Sequence, residues 1–128
     1  MYFETTIVGK NKATLKSQAV KYLVEAETFG EAEEKSYKEA QTELTDLLVR
    51  SIKRSRIQQV NNVDNEAEGY FCCIITTQGD NDKLLRSRIL VSADSLRAAE
   101  KTIREIDVFD SGYDTIESVV ATSIQAVL

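Results

Sequence analysis

Four cations, Arg50, Lys53, Arg54 and Arg56, crowd one short segment of the chain. Arg and Lys donate charge-assisted hydrogen bonds to carboxylate and phosphate oxygens, so such a cluster could hold an acidic protein, a phosphate or a nucleotide. The competing reading needs no ligand: cations on an exposed strand edge keep it from pairing with other chains. The rest of the chemical inventory is thin. The chain has no His, which removes the commonest general base and metal ligand. Gly9, Gly30, Gly69, Gly79 and Gly112 are scattered as turns demand and form no phosphate-binding loop. Gly79-Asp80-Asn81-Asp82 carries two carboxylates but lacks the ligand spacing and terminal Glu of a calcium loop, and reads as a hairpin turn. Cys72 and Cys73 are neighbours, so on a strand they point to opposite faces and read as buried fillers, not as a redox or metal pair. No catalytic residue, metal ligand or cofactor is expected.

The elements that must carry these residues occur twice. Shifting residues 2–60 by 67 positions lays them on 69–127 without a gap. Leu23-Val24 then falls on Leu90-Val91, Ala32-Glu33 on Ala99-Glu100, Ile57-Gln58 on Ile124-Gln125, and Ile7 on Ile74. A repeat of this length implies two equivalent supersecondary units. A half near 60 residues is marginal alone, so the expectation is a single domain, 1–128, in which repeats 2–60 and 69–127 share one core across a polar linker, 61–68.

Within the first copy, residues 3–8 read as a strand, Gly9-Lys10-Asn11-Lys12 as a turn and 19–26 as a second strand. Thr28 offers a helix N-cap, with Glu31 placed to complete a capping box. Phe29, Ala32, Ser36, Tyr37, Ala40 and Leu44 form the apolar stripe, and Glu31, Glu34, Lys35, Lys38 and Glu39 the solvated face. Residues 47–60 read as one long strand, in which Val49 and Ile52 cannot share a face unless a bulge lies near Ser51. In the second copy Tyr70–Thr76 and Ser87–Ala93 are strands, Ser95 caps a helix with the stripe Leu96, Ala99, Ile103 and Ile106, and 114–127 closes the unit. The succession Val119-Val120-Ala121 suggests that both faces of that last strand are covered, by helix or by another subunit. The expected fold is α+β: two tandem strand–strand–helix–strand repeats sharing one core, mainly antiparallel sheet with two helices packed on it.

Tyr22-Leu23-Val24-Glu25-Ala26-Glu27-Thr28-Phe29-Gly30-Glu31-Ala32-Glu33, with the final Tyr113–Val127 stretch, resembles an uncharacterised family. That family is a domain of unknown function carried by gut anaerobic bacteria and their tailed phages. The resemblance implies a small phage- or element-borne protein and supplies no catalytic residues.

Arg50, Lys53, Arg54 and Arg56 fall on Glu117, Val120, Ala121 and Ser123 in the second copy, so the two strands are expected to meet different neighbours. A net charge of −5 argues against general nucleic-acid binding, which draws on cations. No apolar run is long enough to span a membrane, and Met1-Tyr2-Phe3-Glu4 does not open a signal peptide. The host-cell cytosol or the virion is the expected location. The expected function is a non-enzymatic structural or interaction protein of a tailed phage or mobile element, working through a protein partner, self-association or both. One alternative is a protein binding a nucleotide signal, using the basic strand and Tyr2, Phe3 or Tyr22. A regulator contacting nucleic acid through the same strand is another.

Overall fold

Phe3, Thr5 and Ile7 are buried and alternate with half-buried neighbours, the period of a pleated strand with one face on a core. They belong to β1 (Tyr2–Asn11), the first element in a computed structural model that describes residues 1–61, 67–106 and 109–128. There follow β2 (Ser17–Glu25), α1 (Phe29–Ala40), β3 (Leu44–Arg54) and β4 (Gln59–Asn61). The second half contains β5 (Gly69–Gln78), β6 (Leu84–Ala93), α2 (Leu96–Glu105), β7 (Asp114–Ala121) and β8 (Ile124–Val127). The class is α+β, with eight strands in two mixed sheets and two helices among the described residues.

The chain divides into two units, Met1–Arg56 with Ile124–Leu128, and Ile57–Ser123. The sheet of unit one has the order β3-β1-β2-β8 and that of unit two β4-β6-β5-β7. Each sheet has three antiparallel strands from one sequence repeat and a short parallel strand from the other. Leu23 pairs with Val127, and Leu90 with Val60. The expected long strands 47–60 and 114–127 are therefore each broken, at residues 55–58 and 122–123, where the chain leaves one sheet for the other. The crossings Arg56/Ile57 and Ser123/Ile124 are themselves 67 positions apart. Buried apolar residues gather in two clusters, one on each sheet. Of the expected linker, Asn61 closes β4 and residues 62–66 lie outside the described residues.

Pairing registers refine the equivalence. Phe3 stands between Val24 and Arg54, and Phe71 between Val91 and Ala121. β1 thus maps on β5 with a shift of 68, because the second hairpin is one residue shorter, while the later elements keep 67. Ile7 corresponds to buried Ile75 and not to Ile74.

Both helices start as their cap residues dictate. Thr28 Oγ1 accepts from Glu31 N at 3.1 Å, and Ser95 Oγ from Ala98 N at 3.1 Å. Glu31 reaches back to Glu27 N at 3.2 Å, one residue before the cap, so the expected box closes on the preceding residue. Buried positions on α1 are Ala32, Ser36 and Ala40, and on α2 Ala99 and Ile103. Phe29, Tyr37 and Leu96 are exposed, and Leu44 opens β3 instead of ending the helix stripe. Gly9 lies within β1, not in the turn, which comprises residues 12–16. A Cβ at Gly9 would stand 2.8 Å from Thr45 O, which explains the glycine there.

Candidate functional site

β3 is the outermost strand of its sheet, so one side of its backbone faces no other strand among the described residues. Ser51 is opposite Thr6 and Val49 opposite Ile7, leaving Arg50 as the extra residue of a bulge. The bulge expected near Ser51 is thus present. It recurs in β7, where Ser118 is opposite Ile74 and Ile116 opposite Ile75, so that Glu117 is the extra residue. Arg50 and Glu117 occupy the same bulge position in opposite units.

Three of the four cations lie on one edge strand, but not on one face. Residues paired directly across an antiparallel ladder share a face. Arg54, opposite Phe3, lies on the face covered by α1, and Lys53, opposite Glu4, on the other. Arg56 lies beyond the end of β3, so it does not continue the row of Arg54. All four are exposed, and none forms an ion pair among the described residues. Glu4, the nearest cross-strand acid, is already held by Lys21 at 3.0 Å.

The equivalent edge in unit two is arranged differently. Glu117 accepts from Thr76 Oγ1 at 2.8 Å and from Arg86 Nε at 3.0 Å. The Thr76 hydroxyl, with Arg86 and the nearby charge of Arg88, holds the Glu117 carboxyl below its ordinary range. Its charge is spent within its own sheet, whereas that of Arg50 is not. Val120, the counterpart of Lys53, is exposed, so the expectation that both faces of this strand are covered does not hold at that residue within the chain.

Several other sequence candidates take structural positions. Phe3 and Tyr22 are buried in the unit-one cluster and cannot stack on a base beside the cations. Burial, with Glu39 and Glu43 nearby, pushes the Tyr22 hydroxyl up to about 12. Cys73 is fully buried, and burial followed by Cys72 and Glu100 pushes its thiol up to about 11, far from a reactive thiolate. The Gly79–Asp82 segment is a hairpin turn, with Asn81 and Asp82 in the left-handed region at φ 62° and 58°.

A second feature escapes a reading by motif. A hollow of about 210 Å³ lies wholly within unit two, on the α2 side of its sheet. The buried Ile75 and Ile89 line it together with Thr77, Ser87 and Asp114, and Gln58 and Gln59 complete the lining. Only the strand register, unknown at the outset, brings these residues together.

Neither a curated protein nor a solved structure matches the chain. A domain of unknown function, DUF4494, matches residues 1–128, and the chain belongs to that family.

Proposed function

We propose that this is a non-enzymatic interaction protein that takes an acidic protein segment along the open edge of β3. One observation carries this reading: Arg50, Lys53 and Arg54, on a strand whose outer side faces no other strand among the described residues, and Arg56, just past its end, are exposed and without ion pairs there. An added strand would gain backbone hydrogen bonds from that edge. Lys53 and Arg54, on opposite faces, would then select carboxylates on both faces of the added strand. The resemblance carried by Tyr22–Glu33 and Tyr113–Val127 supports a small protein borne by a tailed phage or mobile element, and we take it to act in the host cytosol or on the virion and to self-associate. For the nucleotide alternative, Phe3 and Tyr22 are buried, and only the half-buried Tyr2 is left of the three aromatics to stack on a base.

Fluorescence anisotropy with an alternating Glu/Val peptide tests the reading. Binding should weaken with salt and be lost in Arg50→Ser/Lys53→Ser/Arg54→Ser/Arg56→Ser. A variant that binds as before, or that only self-associates more, would make the cations guards of the edge and overturn the proposal.

A further inference from the structure

The hollow in unit two has an internal comparison, because unit one builds the same sheet positions with other side chains. Where unit two has Ile75, Ser87, Ile89 and Asp114, unit one has Ile7, Val20, Tyr22 and Leu47. Val20 and Tyr22 are buried in the unit-one cluster, with Leu44 and Ala40, and Leu47 packs against it. Three changes separate these four positions, and Thr77 of the lining stands where unit one has Gly9. Val to Ser and Leu to Asp exchange apolar packing for polar groups, and Tyr to Ile removes a ring. An under-packed apolar core loses stability with each void it contains. A hollow lined by polar groups beside apolar ones is instead the general form of a small-molecule site.

Its polar groups are arranged to receive a ligand. Thr77 Oγ1 donates to Asp114 Oδ1 at 2.6 Å and Asp110 N to Asp114 Oδ2 at 2.8 Å, which fixes the carboxylate in place. Gln59 Nε2 donates to Asn61 Oδ1 at 3.1 Å, leaving the Gln59 carbonyl oxygen as an acceptor. The Ser87 hydroxyl and the Gln58 side-chain amide make no hydrogen bond among the described residues. Donors and acceptors therefore line the hollow together with two isoleucines.

We propose that this hollow binds a planar nitrogen heterocycle of nucleobase size that carries no phosphate. An apolar cavity of about 150 Å³ accepts benzene, so the larger space here admits a fused or substituted ring. Ile75 and Ile89 would contact the ring face. The glutamine amides, Ser87 and Asp114 would meet the mixed donor and acceptor edge of a base, as a glutamine side chain does with adenine. No Lys or Arg lines the hollow, and the Asp114 carboxylate repels phosphate. The site is independent of the β3 edge and lies in the other unit.

Isothermal titration with adenine, guanine, cytosine and uracil, and with adenosine monophosphate as the charged comparison, tests this. At least one free base should bind with a dissociation constant near or below about 1 mM, and more tightly than the monophosphate. Ser87→Val/Asp114→Leu, which copies unit one, should weaken that binding by more than about tenfold. Ile89→Tyr fills the space without touching the Asp114 hydrogen bonds, and should do the same if the double variant misfolds. Absence of binding by every base would overturn the proposal. So would binding left unchanged by Ile89→Tyr, or tighter binding of the monophosphate.

Discussion

Thr5 Oγ1 and Ser36 Oγ meet at 2.7 Å inside the unit-one cluster, joining β1 to α1 by a buried hydroxyl pair. Unit two has Cys73 and Ile103 at these positions, both fully buried. One packing geometry has thus been filled in two chemically different ways. The pair predicts a non-additive mutant cycle. Ser36→Ala strands the Thr5 hydroxyl away from water and should cost roughly 1–3 kcal/mol. Adding Thr5→Val removes the stranded group at nearly constant shape and should recover part of that loss. Urea midpoints of the single and double variants measure this; a double variant weaker than Ser36→Ala alone would mean that the hydroxyl is satisfied elsewhere.

Gly9 and Gly30 should respond oppositely to the same substitution. A Cβ at Gly9 would meet Thr45 O at 2.8 Å, Leu47 Cδ2 at 3.0 Å and Leu44 Cβ at 3.1 Å. The first and last of these cannot rotate away, so Gly9→Ala should cost roughly 1–3 kcal/mol by forcing β1 from β3. Gly30 lies in the first turn of α1, where the nearest neighbour of a Cβ would be Thr28 Oγ1 at 4.0 Å. Gly30→Ala should stabilise by roughly 0.5–1 kcal/mol through the unfolded chain. Thermal denaturation of the two variants should shift in opposite directions.

Local chemistry was legible in the sequence, and long-range pairing was not. Thr28 and Ser95 announced the helix starts because a cap is a contact within one turn. Val49 and Ile52 announced the bulge because period-two alternation is violated wherever a residue is inserted. The breaks at residues 55–58 and 122–123 went unseen, since an extended chain leaving one sheet for another keeps the composition of a strand. The shift from Ile74 to Ile75 was missed because one residue lost from a hairpin changes register without changing pattern. The cations were found by type, but their faces depend on register, which separates Lys53 from Arg54 and strands Arg56. The hollow left no motif because it arises from volume that Ser87, Ile89 and Asp114 do not fill.

Stability should fall at alkaline pH. The Tyr22 hydroxyl is raised from 10.0 to about 12 and the Cys73 thiol from 9.0 to about 11, each chiefly by burial. Below the unfolded values both states keep their protons, and the contribution is fully present. As pH rises from the unfolded values of 9.0 and 10.0 towards the folded ones of about 11 and about 12, the unfolded chain releases protons that the folded chain retains. Urea midpoints should therefore be insensitive to these two groups at neutral pH and decline through this window. Tyr22→Phe should flatten the upper part of the decline and Cys73→Ala the lower part, whatever either does to stability at pH 7. Slopes identical to the parent in both variants would assign the alkaline loss to other groups.

The C-terminal strand should stabilise the unit that is distant from it in sequence. β8 lies beside β2, with Leu128 N donating to Leu23 O at 2.8 Å and Glu25 N to Leu128 O at 3.0 Å. Ile124 is buried in this position as Ile57 is at the reciprocal crossing. Ile124→Ala should cost roughly 2–5 kcal/mol, as expected for a buried isoleucine, and Ile57→Ala a similar amount. Deleting residues 124–128 should be more selective. It strips the parallel partner from β2, so native-state hydrogen exchange should show the β2 amides and then the rest of unit one losing protection. The β4–β6 pairing, extended by Gln58 N donating to Arg88 O at 2.9 Å, stays intact and should keep unit two protected. Loss of protection confined to β5–β7, with β2 unaffected, would mean that the last strand serves the repeat it follows and that the two sheets do not exchange strands.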